Sequence, residues 1–121
     1  LGQNDMNINQ AKKILKNKII GVTCHNSIKL ARKASINGAN YIALGAFYKT
    51  ITKKVKYKAN FKTLNRIKKS LNIPVVAIGG INDKNYKNLL LNKADFLAIS
   101  SYIWNNKKFK PHQAIKNFYE N

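Results

Sequence analysis

The sequence predicts an α/β protein in which parallel strands alternate with helices. Short runs of Val, Ile and Ala are typical of strands buried on both faces. Each run is followed by apolar residues spaced three or four positions apart, as on one side of a helix. The clearest unit is residues 75–81, where Pro74 introduces an apolar run that Gly79 and Gly80 close. Repeated units of this kind favour right-handed βαβ connections and a parallel sheet.

The elements follow in order along the chain. Residues 1–5 have the pattern of a strand tail whose body lies before position 1, and the lack of an initiator Met favours a truncated start. The other strands are predicted at residues 18–23, 41–45, 73–78 and 94–100. The helices are predicted at residues 10–16, with Asn7 or Asn9 as the cap and Ile14 and Leu15 buried, and around residues 28–37, 61–71, 86–90 and 109–118.

The length of the chain limits the architecture. With 121 residues, 45% of them hydrophobic, it can form one modest core, so residues 1–121 are expected to be a single domain. About five strands and five helices are predicted, whereas a complete (β/α)₈ barrel has about 200 residues or more. We therefore expect roughly the C-terminal half of a TIM barrel. An open doubly wound sheet is the alternative, although the first unit lacks the GxGxxG motif of that fold.

The charge of the chain predicts an anionic partner. The formal net charge is +19, from 23 Lys and Arg against 4 Asp and Glu. Because the lysines are spread along the whole chain, we expect phosphorylated small molecules as ligands and not nucleic acid.

No apolar run reaches the roughly 20 residues of a membrane span and no signal peptide is visible, which favours a cytoplasmic protein without membrane contact. The single cysteine, Cys24, is expected to be inert packing.

Polar residues and glycines follow the predicted strands. Because the carboxyl ends of parallel strands lie at one edge of a sheet, these positions are expected to meet at one rim. Phosphate is commonly held there by the loops after the last two strands, which predicts Gly80 and Ser100 as its contacts. Alternatively, Gly79 and Gly80 only make a tight turn. The rim positions are Asp5, Thr23, Thr50, Ile51, Thr52, Lys53, Gly79, Gly80, Ile99 and Ser100.

Six short segments of the chain resemble thiamine phosphate synthase in order and spacing. They are residues 2–5 (GQND), 21–25 (GVTCH), 38–45 (GANYIALG), 50–54 (TITKK), 76–81 (VAIGGI) and 98–100 (AIS). The resemblance implies a TIM barrel that joins hydroxymethylpyrimidine diphosphate to a thiazole phosphate and releases pyrophosphate with Mg²⁺.

The same resemblance implies roles for individual residues. Asp5 would be an Mg²⁺ ligand, Thr23 and Lys53 would contact the pyrimidine diphosphate, and Lys53 would be catalytic. The thiazole phosphate would be held by Thr50, Ile51, Thr52, Gly80, Ile99 and Ser100. His25, His112, Asp83 and Asp95 are left outside the site.

Three departures from the family pattern are visible. Lys49 stands where the family usually has Pro, and the chain has no counterpart of the family's Gln-x-Arg-x-Lys cluster or Asn-Asp pair. We therefore expect the fragment alone to be inactive. It would need an N-terminal half, or would form homo-oligomers through its unpaired strand edges. The alternatives are a thiazole tautomerase-like barrel and a non-catalytic protein that binds phosphate ligands or nucleic acid.

Overall fold

Four strands and six helices alternate through residues 1–50 and 56–119, the part of the chain that the computed structural model describes. The strands are β1 (Gly21–His25), β2 (Tyr41–Leu44), β3 (Val75–Ile78) and β4 (Phe96–Ala98). The helices are α1 (Ile8–Leu15), α2 (Ile28–Ile36), α3 (Phe61–Ser70), α4 (Tyr86–Leu91), α5 (Ser101–Trp104) and α6 (Pro111–Tyr119). The predicted alternation of strands and helices is confirmed.

The sheet is parallel and its strands lie in chain order, β1-β2-β3-β4. Leu1 extends it beyond β1, because the Leu1 nitrogen donates to Gly21 O at 2.6 Å and Thr23 N donates to Leu1 O at 2.8 Å. These two bonds form one position of a parallel ladder. The expected fifth strand is therefore represented, within the described residues, by Leu1 alone.

The two faces of the sheet have different surroundings. Ile42, Leu44, Val75 and Ala77 are fully buried, and they pack with buried side chains of the helices in one hydrophobic core. Alternate residues lie on the opposite face, where the register places Val76 beside Phe96 and Ile78 beside Ala98. Phe96 is 60% exposed. The second face is therefore apolar and open to solvent.

Three of the helices begin with a side-chain cap. In one of them, α1, the buried residues differ from those predicted. Asn7 Oδ1 accepts from Gln10 N at 3.0 Å, so Asn7 is the cap of α1. The expected burial of Ile14 and Leu15 is wrong, since they are 64% and 45% exposed. The helix begins at Ile8, earlier than predicted, and the buried residues Ile8 and Ala11 pack against Ile20 instead. The other two capped helices start after Ser27 and Asn60.

Two further differences concern short elements. The strand predicted at residues 94–100 is limited to Phe96–Ala98, and α5 was not predicted because four residues are too few to show a period. No helix among the described residues has the length and apolar character needed to cross a membrane.

Candidate functional site

A cavity of about 530 Å³ opens at the carboxyl ends of the strands. Its size lies within the range of about 300–1,000 Å³ that is usual for small-molecule sites. Every strand contributes to the lining, through Thr23 and His25 of β1, Gly45 after β2, residues 78–81 at the end of β3 and residues 98–101 around the end of β4. The rim that the sequence predicted is therefore a concave surface.

The cavity brings together five of the predicted site residues. These are Thr23, Thr50, Gly80, Ile99 and Ser100, which lie far apart in the sequence and all line the same space. Three others, Ile51, Thr52 and Lys53, lie outside the described residues. Asp5 does not line this cavity. It lines a second one of about 320 Å³, next to Gln3 and the start of α1.

The turn after β3 depends on its two glycines. Gly79 has φ +104° and Gly80 has φ +64°, a left-handed conformation that costs other residues about 1–2 kcal/mol. A Cβ atom on Gly79 would collide with Ala46, and one on Gly80 would collide with Lys49 O. The glycines are thus required by the close approach of the segment after β2, whether or not a ligand binds.

That segment is fixed to the glycine turn by hydrogen bonds. Phe47 N donates to Ile78 O and Tyr48 N donates to Gly79 O, both at 3.1 Å. The Tyr48 hydroxyl donates to Asn85 O at 3.1 Å, and Asn85 Nδ2 donates to Gly80 O at 3.0 Å. Burial raises the pKa of Tyr48, so its hydroxyl remains a neutral donor. The loop after β2 and the turn after β3 therefore form one connected wall of the cavity.

Hydrogen-bond donors are found among the residues that line the cavity. Within residues 1–50 and 56–119, no protein group accepts a hydrogen bond from the amide N–H of Gly80 or Ile81. On the neighbouring strand, Ser100 precedes α5 but makes no side-chain cap for it. Two amides and a hydroxyl at the end of a parallel sheet suit the oxygens of a phosphate.

Asp5 lies in the loop between Leu1 and α1. Its Oδ2 accepts a hydrogen bond from Gly2 N at 2.7 Å, and the side chain is exposed. Gln3 in the same loop donates from Nε2 to Thr23 O at 2.6 Å, which ties the loop to the end of β1. No group of three or more His, Cys, Asp or Glu side chains that could hold a metal is found among the described residues. Asp5 alone can therefore supply at most part of a metal site.

The sequence did not indicate three of the lining residues, His25, Lys56 and Tyr57. The ring of His25 stacks on that of Tyr57 with centroids 3.9 Å apart, and Lys56 Nζ lies 5.7 Å from the Tyr57 centroid. His25 was expected to lie outside the site. It lines the cavity because the β1 register shifts between Thr23 and His25, where His25 adopts φ +54°. The sequence signal for Lys56 and Tyr57 is the polar stretch of residues 48–60, which is longer than a usual βα connection and therefore predicts a binding segment.

Cys24 lies between two lining residues but belongs to the core. Its side chain is fully buried, and burial raises the pKa of its thiol from 9.0 to about 12. A thiol with so high a pKa is not a nucleophile at neutral pH. The prediction that Cys24 packs in the core is confirmed.

These features define an α/β protein with a cavity of small-molecule size at the carboxyl ends of a parallel sheet. The family model described as thiamine monophosphate synthase matches residues 1–103. The chain belongs to this family. The resemblance that the six sequence segments indicated is thus confirmed.

Curated relatives and a solved structure agree with this assignment. The chain is 66% identical over 96% of its length to a thiamine-phosphate synthase of Pelagibacter ubique, and 43% identical over 86% of its length to one of Nitrosomonas eutropha. The structure of a thiamine phosphate pyrophosphorylase from Pyrococcus furiosus matches 99% of the chain with a TM-score of 0.86 and 31% identity, and the chain covers 56% of that structure. The chain spans 56% and 50% of the two curated relatives, about half their length.

Proposed function

We propose that this chain forms the thiazole-phosphate part of a thiamine phosphate synthase. The complete enzyme would join hydroxymethylpyrimidine diphosphate to a thiazole phosphate, giving thiamine phosphate and pyrophosphate. The observation that supports this most directly is the cavity that gathers Thr23, Thr50, Gly80, Ile99 and Ser100. The family membership supports the same reaction.

In this proposal the phosphate of the thiazole lies against the glycine turn. The Gly80 and Ile81 amides and the Ser100 hydroxyl would donate to its oxygens, and Thr50 lines the same cavity. This phosphate does not react, so these groups bind and orient the substrate. Their contribution is to place the thiazole nitrogen where it can attack the carbon of the pyrimidine substrate that carries the diphosphate.

The diphosphate would leave from the pyrimidine substrate. Among the described residues, Thr23 is the one that we propose contacts this diphosphate. Mg²⁺ would neutralise the charge that develops on the leaving oxygens. Mg²⁺ typically takes one or two carboxylates together with substrate phosphates and water, so the single carboxylate of Asp5 fits as one ligand. The hydrogen bond to Gly2 N occupies only one of the acceptor positions of Asp5.

Lys53 is the residue that we propose for catalysis, although it lies outside the described residues. An ammonium group beside the leaving diphosphate is attracted more strongly as negative charge accumulates there. In an active enzyme carrying this chain, Lys53→Ala should lower kcat about 100-fold, the scale for removing one preorganised charge. Lys54→Ala is the matched control, and a near-normal kcat for Lys53→Ala would exclude this role.

A two-part experiment tests the proposed function. The isolated chain should bind the thiazole phosphate in a calorimetric titration but make no thiamine phosphate in a coupled assay. Activity should appear when the chain is fused to the N-terminal part of the Pelagibacter ubique relative. Repeated turnover by the isolated chain, or an inactive fusion that is correctly folded, would contradict the proposal.

We also propose that the open face of the sheet is covered in the active protein by the half-barrel that the longer relatives contain. Without it, the exposed edges and apolar face would favour dimers or aggregates.

A cytoplasmic location is proposed as well, in agreement with the unpaired, buried Cys24.

A further inference from the structure

The stacked side chains of His25 and Tyr57, here named the aromatic pair, form a part of the cavity to which the phosphate site gives no role. Their ring centroids are 3.9 Å apart and their planes differ by 23°. Both residues line the cavity. Each ring covers one face of the other, so the pair offers its outer face and its edges, which suit another flat ring better than they suit a phosphate.

The backbone holds the aromatic pair in place. Gly45 N donates to His25 O and Ala46 N donates to Tyr57 O, both at 3.1 Å, so the two residues are attached to adjacent positions of one segment. His25 also keeps a left-handed backbone conformation, with φ +54°, which residues other than glycine seldom adopt. The structure thus maintains an unfavourable conformation that turns this ring into the cavity.

The rest of the cavity has two chemically distinct parts. The donors that suit a phosphate lie at the glycine turn and at Ser100, whereas Ala46, Ile78 and Ile99 give the walls an apolar character. Apolar side chains select by shape and area, not by hydrogen bonds. A ligand that uses all of these groups carries a phosphate at one end and a flat ring at the other.

We propose that the aromatic pair is the ring-binding wall of the cavity and makes it selective for phosphates carried on an aromatic ring. The proposal rests on the phosphate site described under the proposed function and adds the residues that recognise the rest of the ligand. His25 and Tyr57 act as positioning residues that hold the ring flat against the wall.

A calorimetric titration of the isolated chain with three phosphate esters distinguishes the contribution of the ring to the affinity from that of the phosphate. The esters are the thiazole phosphate, 2-phenylethyl phosphate and ethyl phosphate. The two ring-bearing esters should bind about tenfold or more tightly than ethyl phosphate, the scale of stacking a flat ring on an aromatic side chain. Tyr57→Ala should remove this preference while leaving the affinity for ethyl phosphate unchanged.

Two more variants test whether stacking is responsible. Tyr57→Phe keeps the ring and should retain the preference. His25→Asn should reduce it, and Asn is chosen because it tolerates a left-handed backbone. Tyr119→Ala is the control, since Tyr119 is an exposed tyrosine at the end of α6.

The outcomes distinguish this inference from the proposed function. If Tyr57→Ala weakens all three esters equally, or changes none, the aromatic pair is not a ring-binding wall. If 2-phenylethyl phosphate binds as tightly as the thiazole phosphate and both depend on Tyr57, the wall is supported and the assignment of the thiazole substrate fails. If the wild-type chain binds no ester, both proposals are overturned.

Discussion

The two ends of the parallel sheet are built differently. At the amino-terminal end, Asp95 Oδ2 accepts from Lys68 Nζ at 2.6 Å and from Val75 N at 2.8 Å, which joins α3 to β3 and to the residue before β4. Asn40 Oδ1 likewise accepts from Ile20 N at 2.8 Å and from Lys12 Nζ at 3.2 Å. Polar side chains at this end are already bonded to the protein.

The carboxyl-terminal end has polar groups of another kind. The Gly80 and Ile81 amides have no acceptor among the described residues, and the Ser100 hydroxyl caps no helix. In (β/α)₈ enzymes the amino-terminal end of the barrel serves stability and the carboxyl-terminal end carries the active site. In this chain, bonded polar side chains lie at the amino-terminal end, and donors without an acceptor among the described residues lie at the carboxyl-terminal end. Mutations at the two ends should therefore affect stability and ligand binding differently.

The largest effect is expected from Gly80→Ala at the carboxyl-terminal end. The new Cβ would meet Lys49 O in addition to the cost of the left-handed backbone, so the free energy of unfolding should fall by about 3 kcal/mol. Displacement of the amides should weaken binding of the thiazole phosphate about 100-fold or more. Denaturant titration and calorimetry measure the two quantities.

Gly38→Ala provides the matched control for this change. Gly38 has φ +88°, but its Cβ would lie 3.5 Å from the flexible Lys12 side chain, and Gly38 does not line the cavity that contains Gly80. It should lose about 1 kcal/mol of stability and keep its affinity. A folded Gly80→Ala variant with normal affinity would show that the glycine turn does not bind the phosphate.

The second effect concerns the amino-terminal end and stability alone. Asp95→Ala removes a charged acceptor from Lys68 and leaves Val75 N without its side-chain partner, so the free energy of unfolding should fall by about 2 kcal/mol. Affinity for the thiazole phosphate should not change. Asp83→Ala, which removes the same formal charge, is the control. A loss of affinity with Asp95→Ala would contradict the division between the two ends.

Ser100→Ala should have a smaller effect at the carboxyl-terminal end. The loss of one hydroxyl donor to a charged phosphate should raise the dissociation constant about tenfold, with little change in stability. In an active fusion the KM for the thiazole phosphate should rise more than kcat falls, because this bond is made equally in the ground and transition states. Ser70→Ala, at the end of α3, should match the wild type in both measurements.

The smallest expected effect is the contribution of Asp95 to the pH dependence of the free energy of unfolding. Partial burial raises the pKa of this carboxyl, but the Lys68 and Val75 hydrogen bonds and the Lys68 charge outweigh burial, so the pKa lies below its ordinary value. A depressed pKa stabilises the fold above about pH 4, and this stabilisation is lost as the pH falls through the folded-state value. The stability difference between wild type and Asp95→Asn should therefore narrow between about pH 6 and about pH 2. A constant difference would contradict this origin.

The sequence was sufficient for the parts of the fold that depend on periodicity. The apolar runs at β2 and β3 are buried on the helix-covered face only, whereas their composition predicted burial on both faces. The positions just after β1, β2, β3 and β4 meet at one cavity as expected, but Asp5 lines a different one. Thr23, Gly80 and Ser100 were therefore identifiable from their place in the βα units alone. The parallel direction of the strands follows from the alternation of strands and helices along the chain.

Features that depend on local geometry could not be predicted. His25 enters the cavity through a register shift and a left-handed φ, and neither leaves a trace in the pattern of apolar residues. Tyr57 is far from His25 in the sequence, so only the folded chain shows the contact between their rings. Ile14 and Leu15 had the spacing of a buried face, but burial depends on which elements pack nearby, and α1 turns Ile8 and Ala11 inward.

The ion pair between Lys68 and Asp95 is the one formed within the described residues, although the chain carries 23 basic side chains. Most cations among the described residues therefore have no carboxylate partner, and the repulsion that comes with a net charge of +19 raises the free energy of the folded chain. Dissolved salt screens charges over about 10 Å at 0.1 M ionic strength. Added salt should consequently stabilise this fold, whereas it weakens a protein held together by surface ion pairs, and it should also make the open apolar faces of separate chains more ready to associate.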